Sequence, residues 1–402
     1  MEVTIFKKNE ISCCLFENLK LFEHREYSSI NELKNVKYGN FLELDSTKCI
    51  IDTLDKQCEI NRRAATKYLH EYELVKLICK KQVISRAYFK LYEIIYNEPI
   101  IYANSLNCFF ICEAPGGFIE CVSDIRRKKN LLLNFVSVSK YDNLIKYDRY
   151  LEESKLIYAD ITNPVEIHET INNVLKRFPN KLDFITADGG FDVKNFNAQE
   201  IITSKLLLCE IYTAVCTQKI GGMFVIKFFD MFCHNTIIYY LLLCTFYKYV
   251  KIIKPKTSRN CNSERYLVCY NFVGNAGLTG EIFQMILNFK LSDSVTTMIY
   301  PDFNFDYIHG LNKLTSFNNL MVYEQIKTIK ESIKMVHHKD NYFQNMLLNI
   351  FLDKRYKKTI HIYDNIQYFK NILSTRIKKC TDFLRSYNIN INQIVYKLNN
   401  FN

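Results

Sequence analysis

The chain has 402 residues, 48% of them hydrophobic and 24% charged, which is ordinary globular composition with ample length for a sizeable core. Its 53 Lys and Arg against 42 Asp and Glu leave a formal charge of +11, a surplus that suits a polyanionic partner such as RNA and equally suits solubility alone. The 15 cysteines include no C-x-x-C pair and no Cys/His cluster at zinc-ligand spacing, which excludes a zinc module and leaves packing as their role.

The odd cysteine count and the lack of a secretory pattern in the opening residues predict a reducing, intracellular compartment. Heavy use of Lys, Asn, Ile and Tyr, with 11 Gly, 6 Pro and no Trp, fits an AT-rich coding genome, so part of the lysine excess is compositional. Residues 1–60 mix short apolar runs with turns and show no clear period. From Asn61, Leu69, Tyr72, Val75 and Leu77–Ile78 follow the helical repeat, and a second helix is predicted over Ser85–Tyr96.

Then the texture changes to short continuous apolar runs: Asn107–Cys112, Leu131–Val138, Lys155–Tyr158, Leu182–Ala187, Gly222–Lys227, Tyr249–Ile253 and Tyr266–Phe272. A long helix is predicted between the fourth and fifth, over Gln199–Gln218. Strands of this kind alternating with helices predict an α/β domain whose parallel sheet is buried on both faces. The most apolar run, Thr236–Phe246, is too short to span a membrane and reads as a buried helix or a helix–strand junction. Beyond about Asn275 the chain is polar-basic, with helices predicted over 324–338, 342–352 and 361–401. Lys354–Lys358 is a basic patch with an aromatic inside it, either a solvated helix end or an RNA-backbone contact.

Five constellations carry chemistry. Ile111–Phe118 reads strand, Pro-Gly-Gly turn, helix start; such a turn lets backbone approach a ligand and aims free N–H groups at it, though an ordinary tight turn has the same residues. It is neither G-x-G-x-x-G nor a Walker loop. Asp188 stands at the tip of a buried strand before Gly189 and Gly190, where an active-site acid or a helix-capping Asp would stand. Lys227 lies inside an apolar run at a strand end, either snorkelling or partnered. Lys254–Tyr266 is a polar loop leading into a strand, and Ser85–Lys90 lies on the helix before the sheet.

Together these strings resemble the FtsJ/RrmJ superfamily of ribose 2′-O-methyltransferases. They are closest to its cap-specific, Adrift-type branch and to the FtsJ-like methyltransferases of large cytoplasmic DNA viruses. CEAPGGF, TADGGFD, the GG-x-F-x-x-K-x-F-D string and KP-x-x-SR-x-x-NSERY occur in the family's order, over roughly Asn61 to Phe272. The resemblance implies a Rossmann-like class I methyltransferase fold. Its seven-stranded, mostly parallel sheet would have helices on both faces and an antiparallel edge, over residues 61–274. An N-terminal extension (1–60) and a mainly helical C-terminal extension (275–402) would flank it.

The resemblance further implies S-adenosyl-L-methionine as cofactor, capped mRNA as substrate, no metal and no membrane. Viral capping or transcription proteins would be partners, in the host cytoplasm, a viral factory or the virion. The family's Lys-Asp-Lys-Glu tetrad falls on Lys90, Asp188, Lys227 and Glu264. By that analogy Lys227 is the general base, its pKa lowered by burial and by the ammonium of Lys90, with Asp188 and Glu264 orienting the lysines. Cofactor contacts fall on Glu113, Pro115, Gly116, Gly117, Phe118, Ser137, Asp160 and Asp188. Where many FtsJ-type enzymes carry an Asp in the first strand this chain has Phe110, and Glu113 is expected to take part of that role. Arg86, Lys254 and Arg259 are expected to hold RNA phosphates or a cap's triphosphate bridge. The rival readings are a ribosomal or transfer RNA 2′-O-methyltransferase, and an inactive RNA- or polymerase-binding protein that keeps the fold.

Overall fold

Each of the seven apolar runs between Asn107 and Phe272 forms a strand, and all seven join one sheet, because runs without an alternating polar face must bury both faces. The computed structural model describes residues 2–7, 25–26, 41–54, 56–140, 155–190, 198–289, 296–297, 305–337 and 367–391. Phe191–Asp192, the helix expected over 342–352, the basic patch 354–358 and both ends of the helix expected over 361–401 lie outside the described residues.

The strands of this sheet are β1 (Glu2–Lys7), β2 (Asn107–Ile111), β3 (Asn134–Ser139), β4 (Leu156–Tyr158), β5 (Leu182–Ala187), β6 (Gln218–Phe228), β7 (Tyr247–Ile253) and β8 (Arg265–Phe272). They lie in the order β1-β7-β8-β6-β5-β2-β3-β4. The run from β4 to β6 is parallel, β8 is inserted antiparallel between β6 and β7, and β1 closes the edge antiparallel to β7. The expected seven strands with an antiparallel edge are therefore present, and the first residues of the chain add an eighth.

The helices are α1 (Phe41–Asp52), α2 (Lys56–Leu69), α3 (Val75–Ile78), α4 (Ala87–Ile95), α5 (Gly117–Lys128) and α6 (Pro164–Arg177). They continue with α7 (Gln199–Thr217), α8 (His234–Phe246), α9 (Ala276–Leu287), α10 (Phe305–His337) and α11 (Gln367–Ser386). Successive strand residues point to opposite faces. Phe109 and Ile111 accordingly pack with α6, α7 and α8, while Cys108 and Phe110 pack with α4, α5 and α11.

The helical pattern read from Asn61 divides in two: α2 begins earlier, at Lys56, and a turn at His70 separates it from α3. The apolar run Thr236–Phe246 is the body of α8, which passes straight into β7. The helix expected from Glu324 is the second half of α10. The long α10 packs on α1, α2 and β1, and α11 packs on α3, so both terminal regions seat on the sheet domain.

Arg126 of α5 is fully buried, and its guanidinium donates to the carbonyls of Ile101 and Ala103 at 2.8 Å, Asn104 at 3.2 Å and Leu132 at 2.7 Å. One side chain thereby satisfies loops that enter β2 and β3 at the amino ends of the strands, leaving the carboxyl ends to form the opposite rim.

Candidate active site

At the carboxyl end of β2 the chain turns through Cys112 (φ 55°), a cis Ala114–Pro115 bond and Gly116 (φ 106°) before α5 starts at Gly117. The left-handed φ at Gly116 is one that glycine adopts without a Cβ clash. The first turn of α5 thus faces the rim beyond β2, where doubly wound sheets bind ligands. Gly117 is required for a second reason: a Cβ there would stand 2.2 Å from Ser85 Oγ and 3.1 Å from Ala87 Cβ. Ser85 cannot simply swing away, because its hydroxyl accepts from Ala87 N–H at 3.2 Å. Gly117→Ala is expected to push α5 from α4, costing about 1–3 kcal/mol and weakening ligand binding at the turn; unchanged melting and affinity would refute this packing argument.

Glu113 is buried, with one carboxylate oxygen accepting from Phe118 N–H and the other, Oε2, buried without a protein partner. Burial, and then the charge of Asp188, push its carboxyl well above the usual range. Asp160, beyond β4, lies on the same rim and is bonded by Lys140 at 2.8 Å and by Thr162.

Two of the expected contact residues turn their side chains into the protein. Ser137 is wholly buried inside β3, its hydroxyl donating to Phe110 O at 3.0 Å, and it is Ser139, at the strand end, whose Oγ accepts from Ala114 N–H at 3.2 Å. The Phe118 side chain faces the core, 6.0 Å from the Tyr266 ring, so only its backbone belongs to the turn.

The four residues of the expected tetrad meet on this rim as two ion pairs. Lys90 of α4 reaches both carboxylate oxygens of Glu264 at 2.7 Å. Lys227, near the end of β6, lies 3.2 Å from Asp188 Oδ1 and donates to Asp188 O at 2.6 Å. The Tyr266 hydroxyl donates to Asp188 Oδ1 at 3.0 Å, and Ser258 Oγ donates to Glu264 Oε1 at 2.7 Å. Lys90, Lys227 and Lys254 hold the Glu264 carboxyl at about 2 despite its burial.

The expected lowering of the Lys227 pKa is overturned. Burial acts in that direction, but the charges of Asp188 and then Glu264 outweigh it and raise the value above the ordinary lysine range. Lys227 is therefore an ammonium in this site at neutral pH.

The expected surface role of Lys254 is likewise overturned. The side chain is buried, and its ammonium is spent on Asn262 O at 2.8 Å, Asn262 Oδ1 at 2.6 Å and Glu264 O at 2.7 Å, so it shapes the loop from beneath. Burial lowers its pKa to about 7. Arg86 and Arg259 remain partly exposed and share one carboxylate, Glu73: Arg259 bonds it at 2.7 and 2.9 Å, and Arg86 pairs with it while donating to Thr257 O at 2.7 Å. Glu93 of α4 accepts from Lys256 N–H at 2.6 Å, which pins the loop to the helix that carries Lys90.

Glu73, Glu93 and Glu210 carry no mark in the sequence, and Tyr266 stands in the NSERY string without an assigned role. Only Tyr266 had a readable signal: it stands two residues after Glu264 where a strand begins, hence on the same face. Glu210 of α7 lies under the Asp188–Gly189 turn, where Gly189 N–H donates to it at 3.1 Å and a Cβ on Gly189 would stand 2.1 Å from its oxygen. Burial raises its carboxyl to about 8. A raised folded-state pKa contributes stability that is full below the ordinary carboxyl value and is lost as pH rises through 8. Glu210→Gln, which keeps an acceptor, is expected to melt at a temperature that falls less than wild type between pH 5 and 9. Parallel melting curves would count against a protonated Glu210.

Among the described residues no group of three or more His, Cys, Asp or Glu could hold a metal ion, and no helix is long and apolar enough to cross a membrane.

Residues 83–272 match the FtsJ-like methyltransferase family. The chain is 32% identical over 253 residues to cap-specific mRNA (nucleoside-2′-O-)-methyltransferase 1 of Mus musculus, covering 55% of this chain and 29% of that protein. It is 30% identical over 307 residues to the Homo sapiens protein of the same name, covering 67% and 35%. It is 29% identical over 286 residues to cap-specific mRNA (nucleoside-2′-O-)-methyltransferase 2 of Mus musculus, covering 65% and 35%. It thus spans about a third of the length of these relatives. A Plasmodium falciparum structure described as a ribosomal RNA methyltransferase is 22% identical, with a TM-score of 0.38, covering 48% of this chain and 99% of that one.

Proposed function

Starting from residues 83–272 as an FtsJ-like methyltransferase domain, we propose that the protein transfers a methyl group from S-adenosylmethionine to a ribose 2′-hydroxyl at the first or second nucleotide of capped mRNA. The observation that carries this is the convergence of the Lys90–Glu264 and Lys227–Asp188 pairs on the rim where the Pro-Gly-Gly turn opens. The cap-specific names of the relatives favour mRNA over ribosomal or transfer RNA.

The residues present fit the cofactor. The buried, unpartnered Oε2 of Glu113 suits the ammonium of a methionine moiety. The backbone of Pro115, Gly116 and Gly117 would pass beneath the same moiety, and Asp160 would serve the adenosine end. When bound, S-adenosylmethionine supplies a methyl already activated by its sulfonium. The task left to the protein is to align the 2′-hydroxyl and remove its proton. Lys227 Nζ is the acceptor for that proton once it has shed its own; Lys90 and Glu264 hold the ribose side of the site, and Asp188 with Tyr266 aims Lys227. Arg86 and Arg259, which share Glu73, each have donors to turn to a phosphate.

The test is methyl transfer from labelled S-adenosylmethionine to capped RNA, to the same RNA uncapped, and to capped RNA already methylated at its first nucleotide, followed by nuclease mapping. Cap-dependent transfer to a 2′-oxygen is the expected result. Cofactor binding without transfer to any of the three would sink the reading.

A further inference from the structure

Next to the two ion pairs lies a buried ionic chain that links α1, the segment after β6, the start of β8 and α10. Asp230 follows Lys227 by three residues and is buried. Lys48 of α1 reaches its Oδ2 at 2.8 Å, with both side chains 7% exposed, and Arg265 approaches its Oδ1 at 3.5 Å. Arg265, directly after Glu264, is fully buried; it donates to Ser263 O at 3.1 Å and to Asn318 Oδ1 of α10 at 2.7 Å, and stands 5.6 Å from the Phe317 ring. Asn318 in turn donates to Met231 O at 2.7 Å.

The register makes the consequence concrete. Arg265 pairs with Phe228 across β6 and β8, and Tyr266 pairs with Lys227. Arg265 is thus one residue from both Glu264 and Tyr266 and points the opposite way from them, while Asp230 lies on the segment that leaves Lys227. The cleft that reaches Lys227 is itself lined by Gly189, Phe229 and Asp230. Lys48 and Asn318 both lie outside residues 83–272.

We propose that Lys48, Asp230, Arg265 and Asn318 are positioning residues, through which α1 and α10 clamp the β6 and β8 ends that carry Lys227 and Glu264. A buried carboxylate that loses a cationic partner must move or draw in water. Asp230 lies on the segment that leaves Lys227, so such movement is passed to the lysine. The effect on turnover rests on the methyltransferase reading; the effect on Lys227 does not.

The experiment uses the full chain with Lys48→Met, Lys48→Arg and Asn318→Leu, and two readouts. One is kcat and KM for methyl transfer. The other is the rate at which acetic anhydride labels Lys227 at fixed pH, followed by peptide mass spectrometry. In Lys48→Met, kcat should fall by about 10- to 100-fold with KM little changed, since small misplacements act on the chemical step. Lys227 labelling should rise several-fold, as its contact with Asp188 loosens, and Lys48→Arg should restore both readouts. Wild-type labelling and kcat in folded Lys48→Met would overturn the proposal. Should Lys48→Met fail to fold, Asn318→Leu decides by the same measures. Absence of transfer by the wild type would sink the methyltransferase reading alone, with labelling still deciding the clamp.

Discussion

Lys227→Ala lowers kcat for methyl transfer by roughly 10³-fold, with cofactor affinity retained. The side chain belongs to the proton-removing step and makes none of the backbone contacts of the Pro-Gly-Gly turn. Lys227→Arg does not rescue it, because a guanidinium keeps its proton at any working pH. The pH dependence follows from the direction of the Lys227 shift. Asp188 and Glu264 stabilise the ammonium, so the free-base fraction is small at neutral pH. That fraction grows about tenfold per pH unit below the pKa. The kcat/KM of the wild type therefore climbs without a plateau through about pH 10, the ordinary lysine value. A plateau near pH 7 would place the base elsewhere, and full activity of Lys227→Ala would remove the assignment.

Glu264→Ala produces the largest combined loss, in stability as well as rate. Glu264 anchors Lys90 through both oxygens, receives Ser258, and lies over the buried Lys254. Removing it strands Lys90 without its carboxylate, which costs about 3–5 kcal/mol. Its folded-state pKa of about 2 is depressed below the ordinary glutamate range, so its contribution is present above that range and is lost as pH falls through about 2. The gap in unfolding free energy between wild type and variant should accordingly be wide at pH 7 and narrow towards pH 2. A constant gap across that interval would mean that charge is not its source.

The sheet was readable because a strand buried on both faces leaves an uninterrupted apolar run, as in Asn107–Ile111 and Leu182–Ala187. The edge strand β1 was not, since its partner is remote in sequence and no period marks it. In the site, acids and lysines beside glycine turns announced themselves, but their surroundings did not. A lysine after an apolar run is either a snorkelling surface cation or a buried strut, and only packing separates the two; Lys254 proved to be the strut. The Lys227 pKa was misjudged for a similar reason. Asp188 and Glu264 were both visible in the sequence, but how closely their carboxylates approach Lys227, and so that they outweigh its burial, is set by packing alone.

The seam between β1 and β7 joins Glu2–Lys7 to Tyr249–Ile253, roughly 240 to 250 residues apart along the chain. Contacts of such separation carry a large loop-closure cost and form late. During synthesis the first strand leaves the ribosome long before its partner exists, and must wait without a sheet to join. The outer amides of β7 are then the last in the sheet to gain hydrogen-exchange protection on folding. A fusion partner placed ahead of Glu2 would meet its heaviest demand at that closing step.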